Sequence, residues 1–298
     1  MIILREADVA EFAVAPELGG WLLRYGRQIG NLGWFEAIRY DPTVIDRYPL
    51  KMYAGNPLLF PLISYNVVEG KEHFYEWQGK VYPMPQHGFA RRIPWQVIDQ
   101  SAVSVTMELT DTDATRAVYP FRFSHRVTYR LEKGRLCFEQ QIKNLSQDVM
   151  PFGVGIHPYF NVPLSPKSER EHCYIRLPAS QCALAEPLMA SFTFQDHPAK
   201  DLPVSQDVAD TILLTGLQSR EAALVDPQAG IQVLLNWENA PQYRHVALWS
   251  KSTQEPYYCI EPWTSFPNAF GRPQDNDLVL LKPAEVFEAR LWMDIQSL

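Results

Sequence analysis

Apolar and polar residues alternate in many short segments of this chain, and this alternation constrains the fold more than any other feature. In the first clear segment Val103, Val105, Met107 and Leu109 alternate with polar residues. Period-two alternation puts the apolar side chains on one face of a β-strand, so each segment predicts a half-buried strand. The later segments contain Phe123, Val127, Tyr129 and Leu131; Leu136, Phe138 and Ile142; Ile231, Val233, Leu235 and Trp237; and Phe287, Ala289, Leu291 and Met293.

The residues between these segments also favour an all-β fold. The 24 prolines and 15 glycines lie mainly between the alternating runs, and helical periodicity of more than two turns is hard to find. A hydrophobic content of 46% is enough for a sizeable core. We therefore predict a large sandwich of antiparallel β-sheets, with residues 1–298 in one domain.

The charge of the chain limits the partners that it can bind. The formal net charge is -7, which argues against a general affinity for nucleic acid or anionic membranes because these carry the same sign. The first residues contain no basic region followed by an apolar run, and no other stretch is long enough to span a membrane. We expect a cytoplasmic monomer or homodimer whose partner is a small molecule.

The cysteines and the short motifs narrow the chemistry further. Cys137, Cys173, Cys182 and Cys259 form no CxxC pair and no spacing typical of zinc sites, so we expect reduced thiols and no metal site. The sequence also lacks the GxSxG, GxxxxGK[ST] and GxGxxG motifs of nucleophilic and nucleotide-binding sites. What remains is acid-base chemistry on a polar ligand.

His157 is the first candidate for that chemistry. In the segment MPFGVGIHPYF, Gly153 and Gly155 share a strand face with His157, and Pro158 follows it. A strand face with two glycines leaves space beside the histidine, and we expect a ligand pocket there. Glycine within a strand often marks the close approach of a ligand or of another backbone, and a residue before proline is held extended. The alternative is a core histidine that is bonded to a backbone carbonyl.

Glu261 shows the same arrangement at the end of an apolar strand. Tyr257, Cys259 and Glu261 alternate along one predicted face, and Pro262 follows. Burial beside an aromatic side chain such as Trp263 would raise the pKa of this carboxyl and make it a usable base near neutral pH. A structural ion pair with an arginine is the alternative.

Two further histidines lie in distinctive sequence contexts. His87 precedes Gly88 in a polar segment, and glycine there allows a tight turn that directs the imidazole inward. A histidine that only stabilises the turn is the alternative. His125 falls on the apolar face with Phe123 and Val127, which predicts a core residue.

Three segments taken together resemble the aldose 1-epimerase family. They are HGFAR at 87–91, HPYF at 157–160 and EPWT at 261–264, in the family's order and at suitable separations. The resemblance covers nearly the whole chain and implies a large antiparallel β-supersandwich.

The resemblance also implies a role for each matched residue. Glu261 would take the proton from the anomeric hydroxyl of a sugar, and His157 would protonate the ring oxygen. His87 would bond the sugar near the reacting centre, and Asp210 would hold hydroxyls further round the ring. No metal or organic cofactor is implied.

One departure from the family concerns the substrate. Relatives with the LFP block tend to carry a sugar-binding arginine four positions after the proline, where this chain has Tyr65. We expect Tyr65 and Arg91 to contact the substrate. Two alternatives to a free-aldose epimerase stay open. One is an epimerase of a hexose 6-phosphate, with Arg91, Arg92 and Lys51 as phosphate ligands, and the other is a non-catalytic carbohydrate-binding protein.

Overall fold

A computed structural model describes residues 1–177, 179–184, 192–196, 201–205, 211–272 and 276–298. The strands in these parts of the chain are β1 (Ile2–Glu6), β2 (Ala10–Ala15), β3 (Trp21–Ile29), β4 (Gly33–Glu36), β5 (Leu58–Leu59), β6 (Val67–Val68), β7 (Lys71–Glu72), β8 (Phe74–Trp77), β9 (Lys80–Pro83), β10 (Gln96–Gln100), β11 (Ser104–Thr110), β12 (Phe123–Glu132), β13 (Arg135–Asn144), β14 (Met150–Phe152), β15 (Gly155–Ile156), β16 (Tyr159–Asn161), β17 (Tyr174–Arg176), β18 (Ala179–Leu184), β19 (Gln195–Asp196), β20 (Leu202–Pro203), β21 (Ile212–Leu217), β22 (Glu221–Asp226), β23 (Ile231–Asn236), β24 (His245–Trp249), β25 (Tyr257–Trp263), β26 (Val279–Leu281) and β27 (Val286–Ser297).

The helices in these ranges are short. They are the α-helices α1 (Pro42–Ile45) and α2 (Asp113–Val118), and the 3-10 turns Pro16–Leu18, Gly30–Leu32, Ala90–Arg92, Arg170–His172 and Ala269–Gly271. Thr112 caps α2 by accepting a bond from the backbone N–H of Thr115, which supplies one of the donors that a helix start leaves unpaired. Within the described residues, no helix is both long and apolar enough to cross a membrane.

Two large antiparallel sheets form the body of the fold. One has the strand order β10-β11-β12-β13-β27-β23-β22-β17-β20, and the other has the order β19-β18-β21-β24-β25-β15-β5, with β16 also paired to β25. A smaller sheet has the order β1-β2-β3-β4. The paired strands are antiparallel throughout the described ranges, so the prediction of an all-β fold of antiparallel sheets is confirmed.

The alternating segments are strands that bury their apolar face. In β12, Phe123, His125, Val127 and Tyr129 are fully buried, so the prediction of His125 as a core residue is confirmed, and the residues between these four are half-buried or exposed. Strands β11, β13, β23 and β27 show the predicted alternation in the same way. One hydrophobic cluster extends from Leu4 to Ile295. This continuity supports the prediction of one domain, which stays a prediction.

Strand β25 is buried on both faces, and this burial determines where the site lies. Tyr258 and Ile260 belong to the main hydrophobic core. Their neighbours Cys259 and Trp263 belong to separate clusters on the opposite face. Because side chains alternate along a strand, Glu261 lies on the same face as Cys259 and Trp263. The predicted alternation of Tyr257, Cys259 and Glu261 is therefore confirmed.

The segment around His157 departs from the prediction of one continuous strand. It forms three short strands: β14 pairs with β26, β15 pairs with β25 and β5, and β16 pairs with β25. The predicted space beside the two glycines is occupied by protein. A Cβ on Gly153 would lie 2.3 Å from Oγ of Ser265, and one on Gly155 would lie 2.5 Å from the Trp263 ring. These glycines admit neighbouring side chains, so the prediction that they open a ligand space directly was wrong.

Candidate active site

A cavity of about 220 Å³ lies above the buried end of β25. Its walls come from the 49–53 segment, from the turn at 86–92, and from the ends of β15, β24 and β25. The lining residues are Pro49, Leu50, Lys51, Met52, Tyr53, Ser64, Gln86, His87, Arg91, Arg92, His157, Tyr159, Thr211, Trp249, Glu261 and Trp263. A larger groove of about 520 Å³ on the nine-stranded sheet has no histidine in its lining. The smaller cavity is therefore the candidate for acid-base chemistry.

His157 and Glu261 face one another in this cavity. Nδ1 of His157 lies 3.4 Å from Oε1 of Glu261, and the two side chains are only 8% and 2% exposed. The backbone N–H of His157 donates to Oδ1 of Asn56 at 2.8 Å, and its ring stacks on Tyr159 at 4.7 Å. The His87 ring lies 5.4 Å away, edge to face. These contacts fix the orientation of His157 towards the carboxyl.

Burial determines the protonation of this pair. Burial, with a further contribution from the charge of Arg91, lowers the pKa of His157 to about 3. Burial raises the pKa of Glu261 well above its usual value, although the charge of Arg91 acts in the opposite direction. Removal from water penalises charged groups, so both shifts favour neutral side chains. The directions of the two shifts favour a protonated Glu261 beside a neutral His157.

His87 reaches the cavity through a left-handed turn. φ is +62° at His87 and +73° at Gly88, where a Cβ would lie 2.1 Å from the Phe60 carbonyl oxygen. Only glycine fits that contact. The backbone N–H of Ser64 donates to Nδ1 of His87 at 3.1 Å, so Nε2 carries the proton of the neutral ring. Burial and the charge of Arg91 hold the pKa of His87 well below its usual value.

Arg91 brings a positive charge to the cavity. Its guanidinium donates to the carbonyl oxygen of Gln86 at 3.0 Å, and burial lowers its pKa to about 10, so it stays charged at neutral pH. Gly19, at φ +79°, packs against the Arg91 backbone so closely that a Cβ would lie 2.3 Å from its carbonyl oxygen. The β2–β3 connection therefore holds the turn that carries Arg91.

Two other residues that the sequence predicts as substrate contacts have different outcomes. Tyr65 does not line the cavity. Ser64 adopts φ +54° and itself lines the cavity, whereas the Tyr65 ring contacts His73 at 5.9 Å. The left-handed turn at Ser64 thus directs Tyr65 away, and the structure does not bring it to the other site residues. Asp210 lies outside the described residues, next to Thr211, which lines the cavity.

Trp249 and Leu50, which the sequence did not single out, complete the walls together with Lys51, which it named as a phosphate ligand. Trp249 on β24 pairs with Cys259 on β25. Directly opposed residues of an antiparallel pair point to the same face of the sheet, so Trp249 lies on the cavity side with Cys259. Its ring packs 6.2 Å from that of His157. The alternation in HVALW could have indicated this face, but only with the strand pairing known. Lys51 and Leu50 come from a loop with no periodic signal.

The sequence matches the family model described as aldose 1-epimerase over residues 44–294. The chain belongs to the aldose 1-epimerase family. It is 27% identical over 190 residues to the chromosomal protein LacX of Lactococcus lactis subsp. lactis, covering 60% of this chain and 62% of LacX. The match thus spans less than two thirds of the length of LacX. This chain is also 32% identical over 83 residues to a putative glucose-6-phosphate 1-epimerase of Salmonella typhimurium, and the match covers 26% of each chain.

A solved structure establishes the fold of this aldose 1-epimerase family member. A galactose mutarotase related enzyme from Lactobacillus acidophilus superposes with a TM-score of 0.80 at 24% identity, covering 99% of this chain and 97% of that one. The galactose mutarotase-like fold, a supersandwich of antiparallel sheets, is therefore as predicted. The cavity described above contains one residue or more from each of the three segments that carry the family resemblance.

Proposed function

We propose that this protein interconverts the α and β anomers of an aldose by opening and reclosing the sugar ring. The observation that carries the proposal is the pair of His157 and Glu261, whose facing atoms lie 3.4 Å apart in the cavity. Ring opening of a hemiacetal takes one proton from the anomeric hydroxyl and adds one to the ring oxygen. Two adjacent groups that share one proton can perform both transfers.

In the proposed mechanism Glu261 is the base and His157 is the acid. The shared proton passes from Glu261 to His157 as substrate enters, which gives a carboxylate and an imidazolium with no change in the proton count. The carboxylate then takes the anomeric proton while the imidazolium protonates the ring oxygen. After the aldehyde rotates, the same pair recloses the ring with the roles reversed. The charge of Arg91 supports the ionised carboxylate, because it acts to lower the pKa of Glu261.

The other lining residues would hold the sugar. Nε2–H of His87 is a donor that can bond a hydroxyl near the reacting centre. Trp249 and Trp263 can stack on the apolar face of a pyranose. Asp210 is proposed, from the family resemblance, to hold hydroxyls further round the ring. Sugar binding and ring opening thus use separate sets of residues.

NMR exchange spectroscopy of the two anomers tests the function. We expect added protein to raise the exchange rate between α and β signals of at least one aldose in a panel of free and phosphorylated sugars. Binding without faster exchange would instead identify a non-catalytic carbohydrate-binding protein. Neither binding nor exchange across the panel would contradict the proposal.

The pH dependence follows from the shifted pKa values of the pair. Because the pKa of His157 is lowered to about 3, a second proton joins the pair only in strong acid. We therefore expect kcat/KM to stay constant as the pH falls through about 6.5, the ordinary histidine pKa. The pKa of His87 is also held low, so His87 stays neutral over this range. The measurement is kcat/KM between about pH 8 and 5, because kcat/KM reports the pKa values of the free enzyme. A fall in kcat/KM centred near pH 6.5 would contradict this expectation.

A second candidate substrate is a hexose 6-phosphate, and the charges of the cavity favour it. Lys51, Arg91 and Arg92 all line the cavity, and none of them forms an ion pair with a carboxylate among the described residues. In a chain of net charge -7, three such cations at one cavity would attract a dianion. The relative named as a putative glucose-6-phosphate 1-epimerase adds support.

Removing one peripheral cation separates the two substrates. We expect Arg92→Gln to lower kcat/KM for a hexose 6-phosphate by about tenfold, the low end for a charge-assisted bond because Arg92 is only half-buried. The same change should leave a free hexose within about twofold. Lys71→Gln, at an exposed position outside the cavity lining, is the matched control. Equal losses for both sugars would count against phosphate recognition.

A further inference from the structure

Cys259 is a buried nucleophilic group at the site that the proposed reaction does not use. It is fully buried and lies two residues before Glu261 on the same face of β25. It forms no disulfide. One ligand atom each from His157, Cys259 and Glu261 lies within 4.8 Å of the other two. A thiol, an imidazole and a carboxyl therefore converge at one point beneath the cavity.

The three groups match the ligands that zinc prefers. Thiolate sulfur, imidazole nitrogen and carboxylate oxygen bind Zn²⁺ at about 2.3, 2.0 and 2.1 Å, which separates tetrahedral ligand atoms by about 3.2–3.7 Å. The His157 to Glu261 distance of 3.4 Å is already in that range. Nδ1 of His157 and Oε2 of Glu261 have no hydrogen-bond partner among the described residues. Two of the three side chains thus retain unused bonding capacity in a buried setting.

We propose that His157, Cys259 and Glu261 form a three-ligand site for Zn²⁺ or a similar soft divalent ion, with the fourth position open to the cavity. The Cys259 thiol and the Glu261 carboxyl each release a proton to the solvent when the ion binds, because coordinating thiol and carboxyl groups are deprotonated. The thiolate and carboxylate then balance the two positive charges of the ion. The charge of Arg91 opposes binding, so the ion acts as a reversible ligand. It would inhibit ring opening because it occupies both members of the acid-base pair.

The inhibition rests on the function proposed above, whereas metal binding does not. The proposed inhibitory ion differs from a metal cofactor, since the proposed reaction needs no ion. It also differs from the sequence prediction that the cysteine spacing favours no metal site. Cys259 and Glu261 lie on β25, whereas His157 lies in the link between β15 and β16, and the antiparallel pairing of both short strands with β25 brings the three residues together.

Cadmium binding to the whole protein tests the site directly. Cd²⁺ bound to a thiolate gives a charge-transfer absorption in the ultraviolet, and Zn²⁺ should displace it. We expect one such band in the native protein. Cys259→Ala should lose the band and weaken Cd²⁺ binding by more than about 100-fold, because even outer-shell partners of zinc ligands change affinity by about 10–100-fold. Cys182→Ala, which removes a half-buried thiol elsewhere, is the matched control and should keep the band.

A second variant of Cys259 and a measurement of anomer exchange complete the test. Cys259→Ser preserves volume, and circular dichroism verifies the fold of each variant. A band that persists in both folded Cys259 variants, or disappears in Cys182→Ala, overturns the site. The ratio of anomer exchange with and without Zn²⁺ is then compared within each protein. Zinc-sensitive native protein and zinc-insensitive Cys259→Ala support the proposal, and equal sensitivity overturns it. A Cys259-dependent band in a protein without exchange activity would support the site and contradict only the proposed function.

Discussion

Glu261→Gln is expected to lower kcat for anomer interconversion by about 10²–10⁴-fold, the usual contribution of one positioned base. Glutamine keeps the shape of the side chain but cannot accept the anomeric proton. The fold should tolerate the change, because burial already favours a neutral group at this position. We therefore expect a midpoint of thermal unfolding that is equal to or higher than that of the native protein. The rate of anomer exchange measured by NMR tests the expected loss of kcat, and the midpoint of thermal unfolding tests the expected stability.

Glu72→Gln is the matched control for this change. Glu72 is exposed on β7 and is absent from the cavity lining, so its amide should leave both the exchange rate and the unfolding midpoint unchanged. Exchange at the native rate in folded Glu261→Gln would show that another group is the base. Loss of exchange in an unfolded Glu261→Gln would instead contradict the expectation that the neutral side chain is tolerated.

The fold was predictable from the sequence because its strands carry their own signal. In β12 polarity agrees with burial at every residue except the buried His125, since that strand has one face in the core and one towards solvent. β25 is different, because all seven of its residues are buried. Polarity alone therefore could not separate the core face from the site face there. Glu261, an acidic residue at the end of an apolar run, was the sequence feature that indicated which face of β25 carries the site.

The sequence brought together residues that lie at strand ends and turns, and it failed where a loop determines side-chain direction; the catalytic and binding roles stay predictions. His157, Glu261, His87 and Arg91 all line one cavity. Tyr65 could not be judged by counting from Pro61, because the left-handed conformation of Ser64 reverses the direction of the next side chain. Lys51 lies in a loop without a periodic pattern, and it was named only for the hexose 6-phosphate alternative, yet it lines the cavity. Short-range patterns thus predict which residue is unusual, whereas tertiary packing determines what that residue faces.

His157→Gln should lower kcat by about 10²–10⁴-fold, and combining it with Glu261→Gln should cost little more than either change alone. In the proposed mechanism the two side chains act as one unit that holds a single proton, so removing either one removes the function of the other. Independent residues would instead give losses that multiply. NMR exchange rates of the two single variants and the double variant complete the cycle. His172→Gln, which replaces a histidine with a 52% exposed side chain, is the control and should exchange anomers at the native rate. Multiplicative losses in the double variant would mean that His157 and Glu261 act separately, and the shared-proton mechanism would then have to be abandoned.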